Sequence, residues 1–365
     1  MSKKVLIVAS NYGLWAEELQ GPWDALKKAG HDLTLATYRG LPPGVLKLSM
    51  DPAFVDPMQG VEVNPAPMVE RVKQILADGE WDHPIKIADA KMSDYDALVL
   101  VGGPGCPLDI VGNARIHRML VEAYHTDKII GAICYAVGAL VWARNMDNDG
   151  KSIIWGKTVT AHPREWDFID DMPYWLHNAT PENPELNFFT PGFVFPLAQI
   201  VGNAVGPEGK VLSDPTTNHA KQQVVFDYPF VTALSAESSS GFGDKLVEAL
   251  ATQPSWGRKF MRQHMNYLHN KDVQGMLANQ YNPDAVVVTD NMVVQGRQAL
   301  TELMTNFIKM IGDFRFQTID RLVETQDTLL VESTVKMSNL GVHKVYDIYM
   351  MKDGKVQQQL KGVKS

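Results

Sequence analysis

The stretch KIIGAICYAVGAL, residues 128–140, decides the fold of the first two thirds of this chain. An apolar strand (Ile129, Ile130, Ala132, Ile133) runs directly into Cys134, and a helix-forming run of small residues follows (Ala136, Val137, Gly138, Ala139, Leu140). A reactive side chain at a sharp strand-to-helix turn is a nucleophile elbow, which lifts the side chain above the sheet edge. The helix start behind it offers free N–H groups and the positive end of a dipole, and both favour thiolate over thiol. The plain alternative is a buried cysteine filling a strand end, the commonest fate of a free cysteine.

Working outward, residues 5–9 are a continuous apolar run, as in a central parallel strand buried on both faces. Leu19, Trp23, Leu26 and Ala29 then recur at helical spacing, Gly30 closes the helix, and residues 33–36 read as the next strand. This is a βαβ unit. Glu17 and Glu18 fall where strand hands over to helix, the carboxyl-end edge at which open α/β sheets bind ligands. Either could face Cys134, or both could simply favour the helix N-terminus. Residues 41–67 read as a loop, residues 68–77 as a helix, and residues 97–101 as a strand ending in GGPGCPLDI. Its glycines can point backbone N–H groups into a crevice, an oxyanion-hole arrangement. Cys106 sits in that turn before Pro107 and reads as structural.

Past the elbow, residues 156–160 read as a short strand followed by AHPREWD, so His162 is the histidine placed by chain order to return near Cys134 and take its proton. Residues 167–209 form a long aromatic and proline-rich insertion, including Trp175, Phe188 and Phe193, as in a lid or an interface. Residues 223–226 and 230–234 read as a hairpin-like pair, and a final helix ends near Ala251.

The chain has 365 residues, which predicts two domains, and a net charge of −8 with no basic run. Nucleic acid and anionic membrane are therefore not expected as partners. The apolar run in MSKKVLIVAS is too short for a signal sequence and no stretch reaches membrane-span length. Cys106 and Cys134 are the only cysteines, a reduced, cytoplasmic pattern. No metal-ligand cluster, Walker loop or dinucleotide fingerprint occurs, so no cofactor or metal is expected.

The stretches EELQGPWDALKKAGHDLTLAT, DALVLVGGPG, GAICYAVGALVWA, GKTVTAHP and VTALSAESSSGFGDKLVEAL together resemble the ThiJ/PfpI family of the class I glutamine-amidotransferase-like superfamily. The resemblance implies an α/β flavodoxin-like parallel-sheet domain with the elbow cysteine at its edge. The family's glutamate lies four residues before a proline, so Pro22 selects Glu18 over Glu17. That carboxyl is expected to be protonated and to hydrogen-bond the thiolate, depressing the cysteine pKa. Many family members carry His directly after the cysteine, whereas this chain carries Tyr135, a poor base at neutral pH. His162 resembles the histidine of the deglycase branch associated with parkinsonism. Glu165 stands near the place of a triad acid in some glyoxalase relatives. The implied function is a cysteine-dependent enzyme acting on a small reactive carbonyl compound, as a glyoxalase III-like lyase or a deglycase. Cys134 would be the nucleophile, Glu18 and His162 would move protons, and the amides of Gly103 and Tyr135 would hold the oxyanion. Two alternatives stay open: a non-enzymatic redox-sensing or holding-chaperone stress protein, and an isonitrile hydratase- or amidase-like enzyme on another small substrate.

QPSWG at residues 253–257 reads as a linker, giving domains at 1–252 and 253–365. Beyond it helices precede strands of alternating pattern, with Asp353-Gly354 as a hairpin turn. QYNPDAVVVTD and QGRQALTELMTNF resemble the SnoaL-like branch of the fold shared with nuclear transport factor two and ketosteroid isomerase, implying an α+β cone-shaped domain. Asp290 lies near the isomerase base position but out of register, as does Tyr267 for the oxyanion donor, so isomerase chemistry is not expected. Tyr281, His343 and Tyr346 are candidates to line the cone. Such domains commonly pair through their sheets, which makes a homodimer the default expectation.

Overall fold

The computed structural model describes residues 2–56, 59–167, 196–252 and 256–364. By internal contacts the chain divides into two compact units, Met1–Asn145 with Lys151–Thr252, and Gln253–Ser365 with Met146–Gly150.

In the first unit the apolar runs become the strands they predict. These are β1 (Lys4–Val8), β2 (Asp32–Thr37), the short β3 (Ile85–Lys86), β4 (Ala97–Leu100), β5 (Ile129–Ile133), β6 (Val224–Asp227) and β7 (Phe230–Ala233). Their order in the sheet is β6-β7-β5-β4-β1-β2-β3. All neighbours run parallel except β6 and β7, which form the expected hairpin. Strands β4, β5 and β7 are buried at every position, which explains their unbroken apolar sequences. Helices α1 (Ala16–Lys28), α2 (Ala66–Ala77), α3 (Ala114–His125), the short α4 (Gly138–Trp142) and α5 (Ser239–Ala251) accompany the sheet. Chain order reverses between β1 and β4, so the crevice of this doubly wound sheet opens at their carboxyl ends. Helices α1 and α5 cross closely, because a Cβ on Gly243 would lie 2.7 Å from the Ala25 Cβ and 2.8 Å from the Gly21 carbonyl oxygen.

Most of the aromatic insertion, including Trp175, Phe188 and Phe193, lies outside the described residues. Its last part is not irregular: Leu197–Val205 is a helix, and Lys210–Leu212 pairs in parallel with Thr158–Thr160.

The second unit begins with α6 (Trp256–His269) and α7 (Val273–Gln280), the latter capped by the Asp272 carboxylate accepting from the Gly275 N–H at 2.8 Å. Then come β8 (Tyr281–Val288), β9 (Val293–Gln295), α8 (Arg297–Ile311), β10 (Phe314–Glu324), β11 (Thr328–Met337), β12 (Gly341–Lys352) and β13 (Lys355–Val363). The sheet order is β9-β8-β13-β12-β11-β10, with only β8 and β13 parallel. Register shifts in β8, β10 and β12 bend the sheet. The Asp353-Gly354 turn has φ of +53° and +75°, the double positive φ of a type I′ hairpin. Met261, Met276, Leu277, Tyr281, Leu300 and Tyr349 fill the interior between helices and sheet. This is an α+β architecture in which helices pack on one bent sheet.

Candidate active site

Cys134 ends β5 with φ at +55°, a left-handed backbone that a side-chain-bearing residue rarely adopts. The preceding Ile133 is extended and the next residues turn at once into a single 3-10 turn, Cys134–Val137. This is the strained elbow the sequence implies. The helix behind it is only Gly138–Trp142, so a long dipole is not the source of stabilisation. The donor that reaches the sulfur is the backbone N–H of Tyr135.

Glu18 comes from the first turn of α1. Pro22 lies four residues on and has no N–H for the Glu18 carbonyl, which loosens the helix where the glutamate must enter the crevice. The Glu18 carboxyl is 2 % exposed and hydrogen-bonds both Cys134 and the backbone N–H of Gly102, while its Oε2 has no partner. Burial pushes its pKa well above the ordinary carboxyl range. The Cys134 bond opposes that rise, and the charges of Glu237 and Glu17 add to it. Burial therefore favours the protonated form of Glu18. Burial also pushes the Cys134 thiol up, and a charge on Glu18 would push it further. This runs against the expected depression of the thiol. The buried pair instead titrates as a unit.

Glycine is required beside this pair. A Cβ on Gly102 would sit 2.2 Å from the Glu18 Oε2, 2.7 Å from the Ile133 carbonyl oxygen and 2.9 Å from the Cys134 Cβ. Gly103 has φ +109° and a Cβ there would lie 2.4 Å from the Gly13 carbonyl oxygen. Of the two, it is Gly102 whose amide bonds the carboxyl. Cys106 donates its thiol to the Val101 carbonyl at 3.2 Å and is fully buried, a structural role.

His162 does not hydrogen-bond Cys134 among the described residues. Its ring lies 5.0 Å from that of Tyr135, and its Nδ1 is 2.7 Å from the Asp167 Oδ1. The Tyr135 hydroxyl donates to the same oxygen at 2.7 Å, and the Leu197 N–H reaches Oδ2 at 3.3 Å. The acid of this group is thus Asp167, while Glu165 is exposed. In the short helix Arg164–Asp167 the inward positions are Trp166 and Asp167. The only sequence signal for Asp167 was its place at the end of AHPREWD. Burial disfavours a charge on His162, but Asp167 outweighs it and lifts the imidazole above its ordinary value. Tyr135 therefore ties the elbow to an Asp–His pair.

A second polar group borders the first. His219 Nε2 lies 3.0 Å from the Glu17 Oε1, and Gln59 donates to Glu237 Oε1 at 2.9 Å. Ser235 donates to Glu237 Oε2. Glu237 is buried just after β7, in a stretch that reads only as a polar turn. Trp15, Phe54, Val63 and Ala236 form a small apolar cluster beside these groups. Among the described residues, no group of three or more His, Cys, Asp or Glu could hold a metal ion, and no helix is long and apolar enough to cross a membrane.

In the second unit Asp290 is exposed, and Tyr267 accepts from Asn279 at 2.8 Å on the helical side. His343 contacts the Leu340 carbonyl oxygen at 2.9 Å. Tyr346 lies on the strand face opposite that of Tyr349. Tyr281 alone of these candidates is in the core, its hydroxyl donating to Gln359 at 2.7 Å.

Residues 3–164 match the model of the DJ-1/PfpI family and residues 261–359 that of a SnoaL-like domain. A protein of Schizosaccharomyces pombe named as a candidate glutathione-independent glyoxalase, hsp3105, is 24% identical over 221 residues, covering 58% of this chain and 81% of its own. The Candida albicans glyoxalase III structure has a TM-score of 0.50 at 17% identity, over 68% of this chain and 97% of that one. The Rapid Encystment Protein of Francisella tularensis also has a TM-score of 0.50, at 21% identity over 68% of this chain and 99% of its own. At these identities the two structures speak for the fold.

Proposed function

We propose that this chain, in which a DJ-1/PfpI-family region is fused to a SnoaL-like domain, is a cysteine-dependent enzyme that acts on small α-ketoaldehydes as a glyoxalase III-like lyase or deglycase. The observation that carries this reading is the buried pair of Cys134, at an elbow with positive φ, and Glu18, whose carboxyl bonds the thiol and is pushed by burial toward its protonated form. The sequence similarity to a yeast protein named as a glyoxalase supports the same class.

In this reading the Cys134 sulfur attacks the aldehyde carbon. The C–S bond forms and the carbonyl oxygen takes a proton, giving a hemithioacetal steadied by the amides of Gly103 and Tyr135. A proton then leaves the former aldehyde carbon and another is delivered to the adjacent carbon, leaving a thioester that water opens to the hydroxy acid. Glu18 carries protons at the sulfur side, and His162 with Asp167 acts through the Tyr135 hydroxyl. The apolar cluster of Trp15, Phe54 and Val63 suits a small, weakly polar body, and the nearby Glu17 and Glu237 disfavour an anionic one.

The test is conversion of methylglyoxal to lactate by the purified chain and by Cys134→Ser. Turnover in wild type that is lost in the variant supports the proposal. A protonated Glu18 could equally hydrogen-bond an oxidised sulfur, which favours a redox sensor as the second reading. Stoichiometric peroxide oxidation of Cys134 with no turnover of any dicarbonyl would decide for that one.

A further inference from the structure

Strand register fixes which side chains share the concave face of the C-terminal sheet. Across β11, β12 and β13 one row is Leu329, Tyr349 and Gln359, and the next is Val331, Asp347 and Lys361. Leu329, Val331 and Tyr349 belong to the interior cluster, so this face looks inward. Two rows of this largely apolar face therefore carry Gln359, Asp347 and Lys361.

The first two are satisfied. Tyr281 donates to the Gln359 carbonyl oxygen at 2.7 Å, and the Gln359 amide donates to Asp347 at 2.7 Å. Lys361 is not. Among the described residues it makes no hydrogen bond and no ion pair, and its Nζ rests 4.2 Å from the centre of the Phe307 ring. A strongly hydrated ammonium is poorly served there, because a ring face and a neighbouring aspartate out of bonding reach replace little of its water. Burial lowers the Lys361 pKa, and Asp347 partly opposes that. His264, also held low by burial, feels the Lys361 charge. Tyr281 and Tyr349 are pushed well up by burial and stay neutral. Among the described residues, Asp347 is thus the anionic group whose charge bears on this lysine.

We propose that the concave face of the C-terminal sheet is a second reactive site, at which the Lys361 amine condenses with a small aldehyde or ketone to form an imine. The amine attacks the carbonyl carbon, a C–N bond forms, and a proton passes from nitrogen to oxygen to give the carbinolamine. The C–O bond then breaks, the hydroxyl leaves with a second proton as water, and nitrogen loses its last proton to complete C=N. Asp347 stands opposite Lys361 in strand register and would relay those protons through an intervening water. No oxidant or reductant is consumed. A desolvated amine in an apolar setting is the usual way a lysine becomes nucleophilic at neutral pH.

The experiment uses the full chain carrying Cys134→Ser, so that the thiol does not consume the probe. The protein is incubated with butanal and sodium cyanoborohydride at pH 7, and the reduced adducts are located by peptide mass spectrometry. Lys361 is expected to be alkylated about tenfold faster than the exposed Lys73. The excess should vanish in urea, and Asp347→Asn should slow labelling at Lys361 while leaving Lys73 unchanged. Lys361 labelling no faster than that of Lys73 in the folded chain would overturn the proposal, and this comparison does not depend on any Lys361 variant folding.

Discussion

The carboxyl of Glu18 and the thiol of Cys134 share one hydrogen bond in a buried site, and Gly102 is packed against both. Two groups that burial pushes toward their neutral forms thus face each other, and the proton between them sets the reactivity of the sulfur. Burial favours the protonated carboxyl, the form in which Glu18 can act on the sulfur as a donor. Glu18→Gln keeps an N–H donor but a weaker one and no transferable proton. Its midpoint for alkylation of Cys134 by iodoacetamide is expected to rise by about one pH unit, with turnover falling about 10²–10³-fold. A midpoint that falls instead would mean that Glu18 is ionised beside the thiol.

Gly102→Ala tests the closeness of the same pair. The new methyl group would overlap the Glu18 Oε2 and the Ile133 carbonyl oxygen, and the backbone oxygen at a strand end cannot retreat. The carboxyl must move off the sulfur. Thermal unfolding should show a loss of about 1–3 kcal/mol, the usual cost of overpacking. The Cys134 alkylation profile should shift in the same sense as in Glu18→Gln, whereas a merely destabilised protein would keep the wild-type profile.

The sheet was legible because its central strands are buried on both faces and so read as unbroken apolar runs, as at residues 129–133. Cys134 was legible from that strand's abrupt end. Glu18 was singled out only through its spacing to Pro22, since nothing local separates it from Glu17. Glu17 instead faces His219, some two hundred residues on in the chain. Asp167 and Glu237 were not legible as site residues. Each sits on one turn of helix, where no periodicity tells the inner side from the outer. In the second unit Lys361 lies in a strand of mixed polar pattern, and its inward direction follows only from the register with β12.

Asp167 accepts from both Tyr135 and His162, so Asp167→Asn should loosen the whole group. The folded His162 pKa lies above its unfolded value, so the pair's stabilisation is fully present below about 6.5 and is lost as pH rises through the folded value. Urea unfolding should therefore show a larger deficit for the variant at pH 5.5 than at pH 9. The His162 Hε1 resonance should titrate at a lower pH in the variant, because burial then acts without the carboxylate. An equal deficit at both pH values would assign Asp167 a packing role only.

Tyr281→Phe probes the interior of the second unit. The hydroxyl donates to Gln359, which in turn donates to Asp347, and all of these lie on the inward side of the sheet. Removing the hydroxyl leaves the buried Gln359 oxygen without its donor, a loss of about 1–3 kcal/mol. The cost should fall on the second unit, because the two units have separate cores. Hydrogen exchange followed by mass spectrometry is expected to show faster exchange in β8, β12 and β13 and unchanged exchange in β1, β4 and β5. A double-mutant cycle with Gln359→Leu separates this bond from the one Gln359 makes to Asp347, and the loss caused by Tyr281→Phe should shrink when residue 359 is already Leu. If Tyr281→Phe costs as much in the Gln359→Leu background as in the wild type, the hydroxyl acts through shape and not through its hydrogen bond.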